Sequence, residues 1–444
     1  MLAGENLSLL TDLYQLTMAQ AYFRAQRMGS ATFDLFIRTY PPNRGYFVAA
    51  GLHDVLDYLE NLHFDKPALD YLESLRLFSD DFLHYLVGFR FTGEVFALPE
   101  GRIFFTEEPV LELTAPIIEA QIVETYIINQ IHLQSIVATK AARCVQAARG
   151  RAVVDFALRR THGSDAGMKA ARASYLGGFV GTSNVLAGRR YAIPAVGTMA
   201  HSFVASFERE IDAFRAYVAS FPNNAILLID TYDVAKGARN AAQVAREMAG
   251  RGQKLIGVRI DSGNLASNAA AVRKILDDAG LQGVKIIGSG GLDEFDLEDL
   301  AGAPYDSYGV GTKMGVSADA PFADFAYKLV EFQNRPVMKL SAAKVSWPGR
   351  KQVFRLKSSN GQAEKDIIGA RDEPFEAEPL LTEVMRGGRI TASYPTLIEM
   401  REKLATDLAA LPANVKAIRA PSRFPVEFSP ELAALRKEIA ARSG

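Results

Sequence analysis

The sequence predicts an α/β protein: an irregular seven-stranded (β/α) barrel with an N-terminal α+β domain that the C-terminal segment can rejoin. Three observations predict it. From Ala152 onward, short apolar runs centred near Val154, Val180, Ala195, Leu227, Ile256, Ile286 and Tyr308–Val310 are mostly followed by helical patterns, as in a βαβ series. Four consecutive units then place charges or glycines at the same end. AILLIDTYD (225–233) ends on Asp230 and Asp233, LIGVRIDSGN (255–264) on Arg259, Asp261 and a Ser262-Gly263 turn, and VKIIGSGG (284–291) and DSYGVGTKM (306–314) on glycine turns. An apolar strand that runs into charges and a turn is how the floor of an α/β active site looks in sequence. Finally, 444 residues exceed one small domain. The expected divisions are 1–150 (α+β, with a connecting helix), 151–325 (barrel and site) and 326–444 (strands, then helices). An open doubly wound sheet is the alternative to the barrel.

Composition narrows the function. Apolar residues make up 48% and charged residues 23%, the balance of a soluble protein with ample core. Lys plus Arg (50) nearly cancels Asp plus Glu (51), so no basic field exists to hold nucleic acid or an anionic membrane. The single cysteine, Cys144, excludes an internal disulfide, and its helical setting AARCVQAAR suits a buried thiol better than a nucleophile. No apolar stretch is long enough to span a bilayer, and the N-terminus lacks the build of a signal peptide, so a cytoplasmic location is expected.

The elements follow in order. SLLTDLYQLTMAQAYFRAQR (8–27) opens with a helix, Thr11 serving as N-cap, Asp12 in the first turn and Tyr14, Met18 and Ala21/Tyr22 on one face. ATFDLFIRTY (31–40) alternates as a strand, and residues 46–87 are helical. Strands separated by Gly and Pro run from Phe89 to Leu113. Residues 116–149 form a long helical stretch with an expected break near Gln130–Ser135. Within the barrel the clearest helix carries Phe203, Phe207, Ile211, Phe214 and Val218 along one stripe. Phe325–Lys344 and Gln352–Leu356 return to strand alternation around Trp347, and residues 430–442 form a solvated final helix.

Motifs then occur in a fixed order: TDLYQLTMAQAYF, ET…N…QS…ATKAAR, DFALRR, GTSN, VGTMAHSF, LIDTYD, GVRIDSGN, GSGGLDE and YGVGTKM. Together they resemble the nicotinate phosphoribosyltransferase family, which belongs with the nicotinamide and quinolinate enzymes, over roughly residues 5–360. The resemblance implies a homodimer with shared active sites. It also implies that nicotinate displaces pyrophosphate from phosphoribosyl pyrophosphate, with Mg²⁺ present and ATP as co-substrate.

The family's residues carry over by motif. Phe156 and the partner subunit's Tyr14 would stack on the two faces of the pyridine ring, as flat π surfaces allow. On pattern alone each reads first as structural, Tyr14 as a core or interface aromatic and Phe156 as a strand-end core residue. Arg159 and Arg259 would meet the ring carboxylate or nearby phosphates. Ser183 stands where the nicotinamide enzyme has an aspartate, and a hydroxyl there would not repel a carboxylate. Gly290, Gly291, Gly309, Gly311 and Thr312 offer backbone amides to phosphate, joined by Lys328 and less firmly by Lys339 and Lys344. Asp261 suits ribose hydroxyls or hydrated Mg²⁺, with Asp230 and Asp233 in indirect support. In the family the histidine of GTMAHS, here His201, is phosphorylated by ATP, with Thr198 and Ser202 placed to orient it. Three other enzyme readings stay open: a quinolinate phosphoribosyltransferase, a nicotinamide phosphoribosyltransferase, and a Schiff-base aldolase, for which Lys313 is the available lysine at the right strand end. A silent nucleotide-binding barrel is the non-enzyme reading.

Overall fold

The computed structural model describes residues 6–341, 346–391 and 393–442. The chain forms two compact units, one of residues up to Thr139 together with those from Ala320 onward, the other Lys140–Asp319. Lys344 lies outside the described residues.

In the first unit, strands from both chain ends share one sheet. Its order is Arg335–Pro336, Phe325–Phe332, Ser30–Ile37, Leu111–Pro116, Glu94–Ala97, Thr382–Arg386, Arg389–Ile390. Alternation in Ser30–Ile37 suggests one wet face, yet Ala31 through Ile37 are all buried. The polar members survive burial by pairing. Thr32 Oγ1 lies 2.9 Å from Thr114 Oγ1, and Asp34 accepts from Lys351 Nζ at 2.8 Å. Strands Lys351–Lys357 and Ala363–Ala370 form a second sheet, flanked by Glu378–Pro379 and Val426–Phe428.

Three local expectations are corrected in this unit. Asp12, not Thr11, is the N-cap residue of the Leu13–Arg24 helix, because the Thr11 hydroxyl donates instead to Ile122 O at 3.0 Å. The long helical stretch breaks at Val123, between Ile117–Ile122 and Glu124–Ala147, and runs unbroken through Gln130–Ser135. Gln134 and Ser135 make their hydrogen bonds without a break: the Gln134 amide reaches Asp54 Oδ2 at 2.6 Å, and Thr139 Oγ1 donates to Ser135 O at 2.6 Å. The last helix, Pro430–Arg442, buries Leu432 and Ile439 and so is not wholly solvated.

The second unit is a curled parallel sheet. Its order is Gly181–Thr182, Ala152–Asp155, Ser307–Val310, Lys285–Gly288, Gly257–Ile260, Ile226–Leu228, and every adjacent pair is parallel. The strand expected at Ala195 contracts to a single bridge with Thr182. Pro194, which has no N–H, interrupts the ladder there. The curl brings the segment after this bridge to the far edge of the sheet. Arg259 Nη2 donates to Met199 O at 2.8 Å, and His201 Nδ1 lies 3.1 Å from Thr231 Oγ1. The expected Phe203–Val218 helix is two helices, His201–Ala205 and Glu210–Ser220. The second starts afresh because Glu210 and Asp212 favour a helix N-terminus, where the dipole is positive.

Candidate active site

Parallel strands all deliver their C-terminal ends to one side, so residues that directly follow each strand converge. Phe156 follows Ala152–Asp155, Ser183 follows Gly181–Thr182, Asp230 follows Ile226–Leu228, Asp261 follows Gly257–Ile260, and Thr312 follows Ser307–Val310. Arg259, still within its strand, also reaches this end. Its guanidinium carbon stands 5.8 Å from the centre of the Phe156 ring, within cation–π range. Burial lowers the Arg259 pKa, Asp261 and Asp230 oppose the fall, and Arg159 adds to it. Arg259 Nε is buried without a hydrogen-bond partner. A buried, unsatisfied cationic donor beside an aromatic face is suited to an anionic group on a flat ring.

His201 begins its helix at the same end. Its Nδ1 is engaged with Thr231, and its Nε2 stands 4.0 Å from Asp261 Oδ2. The side chains of His201 and Asp261 are 44% and 37% exposed, so both are open to a ligand. Thr198, three residues before His201, has a buried hydroxyl without a partner. Asp230 does structural work: its Oδ2 accepts from the Asp261 N–H at 2.9 Å and from Ser262 Oγ at 2.6 Å. Its Oδ1 is buried without a partner. Ser289 Oγ donates to Asp261 Oδ1, which leaves Oδ2 turned toward the histidine. Asp233 caps the Val234–Ala249 helix by accepting from Lys236 N–H at 2.7 Å.

The four glycines expected to bind phosphate divide by environment. A Cβ on Gly309 would fall 2.3 Å from Phe156 Cε2, and one on Gly311 would fall 2.9 Å from Phe156 O. Packing against Phe156 thus accounts for both of these. Gly290, at φ +102, allows the Asp261 carbonyl to approach to where a Cβ would sit 1.8 Å away. Gly291, at φ +71, faces open space, and it is exposed together with Thr312. These two retain the geometry of a bare phosphate-binding turn.

Sequence reasoning missed several residues that hold these turns. Asp155 is 1% exposed and accepts from Ala157 N–H at 2.7 Å and from Thr182 Oγ1 at 2.6 Å. Behind the glycine turn, Lys140 pairs with Glu294, with Asp319 at 2.7 Å and with Asp293 at 3.4 Å, while Arg143 pairs with Glu294 at 3.0 Å. Glu294, Lys140 and Arg143 are fully buried, and Asp293 caps the following helix with a capping box. The ATKAAR and GSGGLDE motifs contain every member of this web except Asp319, but nothing in either one names the other as its partner. Cys144 is buried, and burial raises its pKa, as an inert thiol requires.

Other candidates lie elsewhere. Arg159, exposed, sits in the short Leu158–Arg160 helix just past Phe156. Tyr14 belongs to the first unit and is 49% exposed on the Leu13–Arg24 helix. Lys328 lies opposite Asp34 in that unit's large sheet, and Lys339 is exposed. Lys313 is unfit as a Schiff-base amine. Burial pulls its pKa down, but Asp296, at 2.7 Å, and Asp293 outweigh it and raise it.

Three family models, for the N-terminal domain, the family proper and the C-terminal domain of nicotinate phosphoribosyltransferase, match residues 9–132, 152–348 and 370–436. A nicotinate phosphoribosyltransferase of Mycobacterium tuberculosis is 48% identical over 437 residues, covering 97% of this chain and 94% of that protein. The crystal structure of human nicotinic acid phosphoribosyltransferase superposes with a TM-score of 0.87 at 30% identity, covering 97% of this chain and 99% of that one. That of a nicotinate-nucleotide pyrophosphorylase from Pyrococcus furiosus gives 0.75 at 27% identity, covering 91% and 96%.

Proposed function

Because the chain belongs to the nicotinate phosphoribosyltransferase family, we propose that the C-terminal end of its parallel sheet is where the pyridine ring and the phosphoribosyl group meet. The protein is an enzyme of NAD salvage that makes nicotinate mononucleotide and pyrophosphate from nicotinate and phosphoribosyl pyrophosphate. The single observation that carries the site assignment is the Arg259 guanidinium, unsatisfied at Nε and poised over Phe156.

In the reaction the pyridine nitrogen forms a bond to ribose C1 while the bond from C1 to the pyrophosphate oxygen breaks, and pyrophosphate leaves with the electron pair. The nitrogen is already unprotonated at neutral pH, so no strong base is needed. The protein's work is orientation and charge stabilisation. Phe156 supplies one stacking face and the partner subunit's Tyr14 the other, in a homodimer with shared active sites. Arg259 and Arg159 take the carboxylate and neighbouring phosphate oxygens. Ser183 tolerates the carboxylate as an aspartate would not. Gly291 and Thr312 receive phosphate. With the Ala195 bridge taken as its seventh position, we read the curled six-stranded sheet as the expected barrel, its far edge tied by the Arg259 and His201 side-chain contacts.

Mg²⁺ fits the donors present. It is a hard ion that typically takes one or two carboxylates and otherwise water and substrate phosphate. Asp261, half open, and Asp230, with a buried unpartnered Oδ1, are such a pair. Bound there, the ion would neutralise charge on the pyrophosphate leaving group.

ATP coupling would run through His201. A neutral ring nitrogen attacks the terminal phosphorus of ATP, the bond to the bridging oxygen breaks, and ADP departs. Water later hydrolyses the phosphohistidine, driving transfer toward product. Among the described residues no helix is long and apolar enough to cross a membrane, and we place the enzyme in the cytoplasm.

The test is His201→Ala, assayed for ATP hydrolysis and nicotinate mononucleotide together. We expect nicotinate-dependent ATP hydrolysis to vanish and slow uncoupled transfer to remain. A variant that still hydrolyses ATP in step with product would remove His201 from this role.

A further inference from the structure

Asp155 is a buried carboxylate with no cation within ion-pair distance among the described residues. What it has instead is a directional chain of hydrogen bonds. Its Oδ1 accepts from Ala157 N–H at 2.7 Å and its Oδ2 from the Thr182 hydroxyl at 2.6 Å. Having donated its only proton, Thr182 Oγ1 accepts from Asn184 N–H at 3.0 Å. Asp155 and Thr182 stand in register on neighbouring parallel strands, and Ser183 N–H donates to Asp155 O at 2.8 Å. The chain therefore spans Ala157, immediately after Phe156, to Asn184, immediately after Ser183. On its other side the Phe156 turn is fixed by its own N–H donating to Val310 O at 2.8 Å.

A carboxylate at neutral pH only accepts, so it forces Thr182 to donate and leaves that oxygen's lone pair for Asn184. An amide at position 155 has one acceptor oxygen and an NH₂ that can only donate. Its oxygen could still accept from Ala157 N–H, but its NH₂ would face Thr182 as a donor, reversing that hydrogen bond and leaving the Thr182 proton without its acceptor. This accounts for an acid in a place where burial alone would favour a neutral residue.

We propose that Asp155 is a positioning residue for pyridine recognition, locking the Phe156 turn to the Ser183 turn through Thr182. The proposal rests on the reading above that Phe156 stacks on the ring and Ser183 faces its substituent. Two recognition turns held by one buried acid keep the ring plane and the substituent reader at a fixed spacing. Displacement of either by a fraction of an ångström would spoil a near-attack geometry.

The experiment compares Asp155→Asn, Thr182→Val, Thr182→Ser and Phe156→Leu, each shown to be folded by circular dichroism and gel filtration. The readouts are KM for nicotinate, KM for phosphoribosyl pyrophosphate, and the kcat/KM ratio of nicotinate to nicotinamide. Asp155→Asn and Thr182→Val are expected to raise the nicotinate KM at least about tenfold, to narrow the substrate ratio, and to leave the phosphoribosyl pyrophosphate KM near wild type. Thr182→Ser, which keeps the hydroxyl, restores wild-type values. A general loss of structure would instead move both KM values together, and that result overturns the proposal, as does an unmoved nicotinate KM in Thr182→Val. Should Asp155→Asn fail to fold, Thr182→Val decides alone. Phe156→Leu separates the two layers. If it leaves the nicotinate KM unchanged, the stacking reading falls and this assignment with it. If it raises that KM while Thr182→Val does not, only the role of Asp155 is overturned.

Discussion

Gly309 lies in a buried strand beside Phe156, and the ring occupies the space that a side chain at 309 would need, 2.3 Å from its would-be Cβ. In sequence the same glycine belongs to a GVGT turn and invites a phosphate reading. The letters show that a side chain is missing but not what fills the gap, and the filler here comes from another strand of the sheet. Gly309→Ala should therefore act on the ring. We expect a nicotinate KM raised about tenfold and a loss of about 1–3 kcal/mol of stability from overpacking, measured by steady-state kinetics and urea unfolding. A change confined to the phosphoribosyl pyrophosphate KM would return Gly309 to the phosphate site. Chemistry-bearing residues were more legible. Arg259 and Asp261 stand out as charges directly after an apolar run, whereas His201 stands out only through the VGTMAHSF motif, since a lone histidine after a strand is more often structural. Asp155 did not, since an acid beside a phenylalanine in DFALRR carries no visible partner until Thr182 is set next to it.

At the scale of elements, periodicity located most helices and strands but not their interruptions. The break at Val123 and the restart at Glu210 are set by tertiary neighbours and by capping, both of which a hydrophobic stripe passes over. The bridge at Ala195 is similar: its apolar run is genuine, but Pro194 limits the ladder. One element junction should respond to acid. His132, on the Glu124–Ala147 helix, accepts the Ala323 N–H at 3.0 Å just before the Phe325–Phe332 strand, and it meets Phe325 edge-on. Burial lowers its pKa below the ordinary value of 6.5, so the fold holds it neutral. The unfolded chain takes up this proton first as pH falls. The contribution to stability is thus complete above 6.5 and is lost as pH drops through the depressed folded value. His132→Gln can still accept from Ala323 but does not titrate. Urea unfolding at pH 7.5 and pH 5 should show a smaller acid loss in the variant than in the wild type. Equal losses would exclude His132 as a source of acid sensitivity.

At the scale of the whole molecule, the pattern of motifs identified the family and a rejoining of the C-terminal segment with the N-terminal domain was expected, but which strands would pair was beyond local reading. Ser30–Ile37 pairs with Phe325–Phe332 across nearly three hundred residues of sequence, and no periodicity reports a partner that distant. Quaternary structure is one step further removed, and a prediction can be made there. The Leu13–Arg24 helix and the turn before it expose Leu10 (40%), Leu13 (49%) and Tyr14 (49%), an apolar surface suited to burial against a second copy. If Tyr14 completes the neighbouring subunit's site, Tyr14→Ala and Asp261→Ala homodimers should each be nearly inactive. In a mixed dimer the Tyr14→Ala chain keeps an intact Asp261 and receives a normal Tyr14 from its partner, which restores one site. The other site carries both defects. Refolding the two variants together should therefore restore up to about half of wild-type activity per mixed dimer. If Tyr14 serves its own subunit, every site in the mixed dimer retains one defect and activity stays at the background of the parents. Subunit exchange must be verified by differential tagging, and no recovery with exchange demonstrated would confine Tyr14 to its own chain.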